Sequence, residues 1–80
     1  MEKIVKLSDL TPGQRGIVLE NRCAQALALR LEDLGMTAGL EVRCLHRAPA
    51  GTPAAYEIRG AVIALRRVDA GDILVRRTGT

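Results

Sequence analysis

The clearest periodicity in the chain lies between Asn21 and Leu34. Ala24, Leu27, Ala28, Leu31 and Leu34 recur at helical spacing and share one face. Asn21 stands where a side-chain oxygen can cap the first turn. Gly35 follows the last periodic residue, as expected of a left-handed C′ position that stops a helix. The pattern predicts one helix ending at Leu34.

The remainder alternates or runs apolar in short stretches, which predicts strands. Residues 1–12 read as an extended lead-in, one helical turn over Leu7–Leu10, and a Thr11-Pro12-Gly13 turn. Ile17-Val18-Leu19 begins the first strand, directly before the helix. From Leu40 to Arg47, Leu40, Val42, Cys44 and His46 fall on one side, with Glu41, Arg43 and Arg47 on the other. After the Ala48–Pro53 loop, the runs 55–59 and 61–66 flank Gly60 and predict a tight hairpin. Val68–Gly71 reads as a turn, Asp72–Arg76 as a last strand, and the RTGT tail as frayed. About five short strands with turn signals every 8–12 residues favour a small closed sheet, which leaves few open edges. The expected fold is mainly β, an SH3-like barrel with one helix inserted after its first strand.

Length restricts this to a single domain. Eighty residues, 48% of them hydrophobic and 26% charged, supply one core, expected over about residues 7–76. Charges or turn residues interrupt every apolar run, so no transmembrane helix is expected. MEKIVKLSDL shows no signal-peptide pattern, which makes the cytoplasm the expected location. Two cysteines, Cys23 and Cys44, argue against a disulfide scaffold and read as packed thiols, with a single bridge left formally open. The net charge of +3 is only mildly basic, and Tyr56 is the sole aromatic residue. No platform for stacked bases can be built, and a lone helix makes no helix-turn-helix, so nucleic acid is not an expected partner. Arg66-Arg67 and Arg76-Arg77 form a basic patch only if their strands are neighbours.

Candidate chemistry is sparse. One serine, Ser8, and one histidine, His46, offer no triad with a shielded acid. Cys44 and His46 project from one side of a strand, about 6.6 Å apart by the usual rise, too far for direct activation. As metal ligands they supply two donors where a structural zinc site takes four and a catalytic one three. They are the weak metal candidates. No phosphate-binding loop is present, because neither Gly13/Gly16 nor Gly35/Gly39 opens a helix. What stands out is an apolar surplus. Leu29 lies about 140° from the helix's core face, beside Ala26 and Arg30. Val62 and Leu74 fall opposite Ile63, Leu65 and Ile73. One barrel cannot point both sets inward, which suggests a contact surface for a partner or a second copy. Leu29, Arg30 and Met36 are the candidate contact residues.

Taken in order, the motifs resemble the FeoA family of the ferrous-iron uptake system. The resemblance rests on Leu7-x-x-Leu10-x-x-Gly13-x-x-Gly16-Ile17 and on Arg30-Leu31-x-x-Leu34-Gly35-Met36-x-x-Gly39. Ala48-Pro49-x-Gly51-x-Pro53, Ala64-Leu65-Arg66, Ile73 and Val75 complete it. Thr52 departs from the acidic or amide residue usual before the proline, and Ala38 from a frequent proline. The resemblance implies an SH3-like barrel that assists a FeoB-type ferrous-iron permease from the cytoplasmic side, touching the membrane only through it. It implies no enzyme activity and no required cofactor, with weak divalent-metal binding and weak self-association left open. The alternative is a free-standing metal-sensor or regulatory domain, since the same module resembles the C-terminal part of iron-dependent repressors.

Overall fold

The computed structural model describes residues 3–79. Six strands form one antiparallel sheet: β1 (Lys3–Lys6), β2 (Arg15–Asn21), β3 (Glu41–Arg47), β4 (Ala54–Ile58), β5 (Ala61–Leu65) and β6 (Ile73–Thr78). A 3-10 turn at Leu7–Asp9 follows β1, helix α1 (Gln25–Asp33) follows β2, and a one-turn helix α2 (Arg67–Ala70) follows β5. The spatial order is β1-β6-β2-β3-β4-β5. The sheet therefore curls without closing, and β1 and β5 are its edges.

Several expectations change here. The lead-in is itself a strand, so there are six and α1 follows the second. Four residues, Lys3–Lys6, are too few for a periodic signal, and they are extended because β6 pairs with them along their length. The expected Val68–Gly71 turn is largely taken up by α2, which starts one residue earlier at Arg67, and β6 runs on through Arg77 and Thr78 instead of fraying. Thr80 of the expected tail lies outside the described residues. Arg59 leaves its strand for the hairpin turn, where Arg59 and Gly60 have φ of +52° and +82°, the two positive values of a type I′ turn. Arg66 and Arg67 follow β5 while Arg76 and Arg77 lie in β6, and these two strands are not neighbours in the sheet.

β3 shows why alternation misleads. Its register with β4 slips between Cys44 and His46, a bulge that lets Leu45 go unpaired. Side chains beyond the bulge change face. Cys44 stays in the core, His46 turns to solvent, and Arg47 turns inward. The Arg47 guanidinium then donates to the carbonyls of Ser8 and Leu10, at 2.8 and 2.6 Å, tying the end of β3 to the 3-10 turn.

One apolar cluster fills the curl, from Leu7 and Leu10 through Val18, Leu31, Met36, Val42, Tyr56, Ile58 and Ile73 to Val75. Among the described residues no polar or charged residue is buried with it. Cys23 is half-buried, Cys44 is buried, and both are free thiols. Thr52 has a visible role: its hydroxyl accepts from the N–H of Arg67, the first residue of α2, at 2.9 Å. An acceptor is what an orphan N–H at a helix start requires, so threonine can replace the acidic or amide residue.

Cys44 and Tyr56 face each other across β3 and β4. Burial pushes both upward, Cys44 from an ordinary 9.0 and Tyr56 from 10.0, with Arg47 partly opposing both shifts. The folded state thus holds protons that the unfolded chain releases, so stability must fall as pH rises. It should hold level through neutral pH and decline from about 9 upward as these groups ionise in the unfolded chain. Urea unfolding across a pH series checks this, and Cys44→Ala should flatten the decline.

A candidate partner surface on the helix

α1 begins at Gln25 with no side-chain cap. Asn21 serves differently from the cap expected of it: its Oδ1 accepts from the Cys23 N–H at 3.1 Å, shaping the turn before the helix. The C-terminal end is better defined. Met36 N–H donates to the Leu31 carbonyl at 2.8 Å and Gly35 N–H to the Glu32 carbonyl at 3.0 Å. These two bonds are a Schellman motif, and Gly35 at φ +114° provides the backbone that it needs.

This end decides which side chains face water. Leu31 is buried, Leu27 and Ala28 are half-buried, and Ala24 and Leu34 are exposed, so the core face is narrower than the sequence suggested. Leu34 is 47% exposed and Met36 fully buried. Met36 was expected among the contact residues, and the structure corrects this: as the residue after the glycine it folds back over Leu31 into the core. The reversal at Gly35 sends Met36 inward and leaves Leu34 outside. Leu34 is the surface residue that sequence reasoning missed. The Leu-Gly-Met string held the signal, because a Schellman motif pairs an apolar residue after the glycine with one in the last turn.

Leu29 is 54% exposed and Arg30 is exposed beside it. Among the described residues the Arg30 guanidinium makes no hydrogen bond or ion pair. A groove of about 240 Å³ is lined by Ala26, Leu27 and Arg30. Ala26, Arg30 and Leu34 are spaced four apart, so they form one stripe with Leu29 at its margin. An apolar stripe around an unengaged guanidinium can take an apolar side chain together with a carboxylate.

The other candidates do not converge. The bulge separates Cys44 in the core from His46 in solvent. Cys23 donates its thiol to the Asp69 carbonyl at 3.4 Å, and burial pushes its pKa up. No group of three or more His, Cys, Asp or Glu residues capable of holding a metal occurs among the described residues. A second cleft, about 280 Å³, is lined by Arg15, Glu41, Arg43, Glu57, Arg59 and Gly60. Arg43 is paired with Glu57 at 2.9 Å, and the mixed signs leave no concentrated field.

Comparison with known proteins accounts for this architecture. The FeoA protein of Chlorobium tepidum, known from its solution structure, is 33% identical, with a TM-score of 0.90 over 94% of this chain and 71% of that one. Stenotrophomonas maltophilia FeoA, crystallised with zinc and described as a prokaryotic SH3 domain protein, is 29% identical. Its TM-score is 0.78, over 89% of this chain and 88% of its own. Here Cys44 and His46 do not fit a shared zinc site, because only one of them is accessible. A manganese-dependent transcriptional repressor shares the fold at 20% identity and a TM-score of 0.77, over 94% of this chain and 41% of that one. No curated protein matches the chain in sequence. The FeoA domain model matches residues 5–77, nearly all of the curled sheet with its helices, and the chain belongs to the FeoA family.

Proposed function

We propose that this chain is a non-enzymatic accessory protein of ferrous iron uptake, docking through α1 on the cytoplasmic portion of a FeoB-type permease. Family membership supports the transport role. The S. maltophilia relative is put forward as an activating factor of bacterial ferrous iron transport. The observation that carries the docking is the stripe itself: Leu29 and Leu34 stand open around the unengaged Arg30.

In this reading iron is the permease's cargo, and this chain holds no resident cofactor. The chain reaches the membrane only through the permease; among the described residues no helix is long and apolar enough to cross it. One face of a nine-residue helix makes a small interface. Binding below about 1,200 Å² of buried surface is weak and transient, suited to a partner that comes and goes. Leu29 supplies apolar area, and Arg30 a bidentate grip on a carboxylate.

The double change Leu29→Glu with Arg30→Glu tests the reading. Both residues are exposed, so the circular dichroism spectrum and melting temperature should stay close to wild type. Association with the permease's cytoplasmic portion should be lost, and ferrous iron uptake in cells should fall. Full uptake by a folded variant at normal cellular levels refutes the docking.

A further inference from the structure

The two edges of the sheet are unlike. β1 carries exposed lysines at both ends, Lys3 and Lys6, which discourage another strand from adding there. β5 reads Ala-Val-Ile-Ala-Leu, with neither charge nor proline. Its outward side chains are in the open: Val62 is 62% exposed and Ala64 is exposed.

Hydrogen-bond parity shows what the β5 backbone offers. Cys44 directs both its backbone groups to the β2 side, accepting from Gly13 N–H at 2.8 Å and donating to the Gln14 carbonyl at 3.0 Å. Arg43 is therefore the residue that exchanges bonds with its β4 partner Glu57. Glu57 then has none to give Val62, which stands opposite it on β5. The two-residue turn requires the same parity, since Ile58 and Ala61 close the hairpin as a hydrogen-bonded pair. Ala61, Ile63 and Leu65 thus bond to β4, while the N–H and C=O of Val62 and Ala64 point away from the sheet. Among the described residues no backbone group outside the strands bonds to either.

We propose that β5 is a strand-addition surface whose occupant is β5 of a second copy of this chain, paired antiparallel about a two-fold axis at Ile63. In that register Val62 lies opposite Ala64 of the other copy, and Ala64 opposite Val62. Each pair exchanges two backbone bonds, so all four outward groups of each edge are satisfied. On the outer face each Val62 meets an Ala64, Ile63 meets its own counterpart at the axis on the core side, and no charge opposes another within the paired segment. Gly60 lies across from Arg66, whose guanidinium is already held by Asp69 at 2.9 Å. The strand is self-complementary in hydrogen bonding, shape and charge, which a two-fold interface requires. The contact is short, so the dimer is weak and concentration-dependent. This surface lies apart from α1 and does not rest on the docking reading.

Amide hydrogen exchange at rising protein concentration, with sedimentation in parallel, tests the pairing. The Val62 and Ala64 amides should become protected as dimer forms, while those of Ala61 and Ile63, already bonded to β4, should not change. Val62→Pro removes an outward N–H without touching the β4 pairing, and Ala64→Lys blunts the edge. Either should abolish the dimer while the chain remains folded. Should one variant fail to fold, the other and the wild-type exchange pattern decide. A chain that stays monomeric at millimolar concentration overturns the proposal. So does a dimer in which Val62 and Ala64 exchange at unchanged rates.

Discussion

Replacing Leu31 with alanine should lower the folding stability by about 2–5 kcal/mol, the range for emptying a buried leucine site. The high end is expected. Leu31 is the one residue of α1 buried to 1% exposure, with only Leu27 and Ala28 half-buried beside it. Its carbonyl also accepts the Met36 N–H that closes the helix. Alanine would retain that backbone bond while leaving a hole against Met36 and the sheet. A domain of this size is stable by only about 5–15 kcal/mol, so the loss is a large fraction of the whole. Denaturant unfolding measures it directly. A midpoint unchanged from wild type would mean that α1 is not anchored through this side chain.

Gly35→Val should produce the second large loss, about 1–3 kcal/mol from the backbone conformation alone. At φ +114° the chain adopts a conformation that L side chains rarely enter, and β-branching makes it worse. Space is not the obstacle. A β-carbon at residue 35 would meet the Ile58 γ-methyl at 3.7 Å, an ordinary contact. Gly35→Ala should therefore show most of the same loss, which separates a backbone cost from a packing one. If alanine were neutral and valine destabilising, crowding rather than φ would govern the site. The two predictions are coupled, because Leu31 and Gly35 belong to one Schellman motif. Their double variant should lose less than the sum of the singles.

The candidate site was partly legible. Leu29 and Arg30 could be placed on the outer side of α1 from helical periodicity, and both are exposed. Met36 and Leu34 were exchanged, one expected outside and found buried, the other the reverse. Periodicity counts residues as though the helix continued. The chain reverses at Gly35, and the next side chain is aimed by that reversal instead.

What the sequence by itself determined is what short-range physics encodes. The helix that Gly35 ends, the turn at Gly60, the Leu7–Leu10 helical turn and the inward set Val42, Cys44, Ile63, Leu65 and Ile73 all follow from dihedral preference and local spacing. The family could be recognised for the same reason, since its motifs are runs of turn and core residues. Only the tertiary structure decided the rest. β1 is a strand because β6 lies beside it, and Lys3–Lys6 alone carry too few residues to say so. The bulge at Leu45 sends Arg47 inward to the Ser8 and Leu10 carbonyls, a contact across 39 and 37 positions that no local pattern can register. The open edge at β5 is likewise a property of strand order. Which strand has no neighbour depends on how the whole sheet is assembled, and pairing between distant segments leaves no periodic trace in either one.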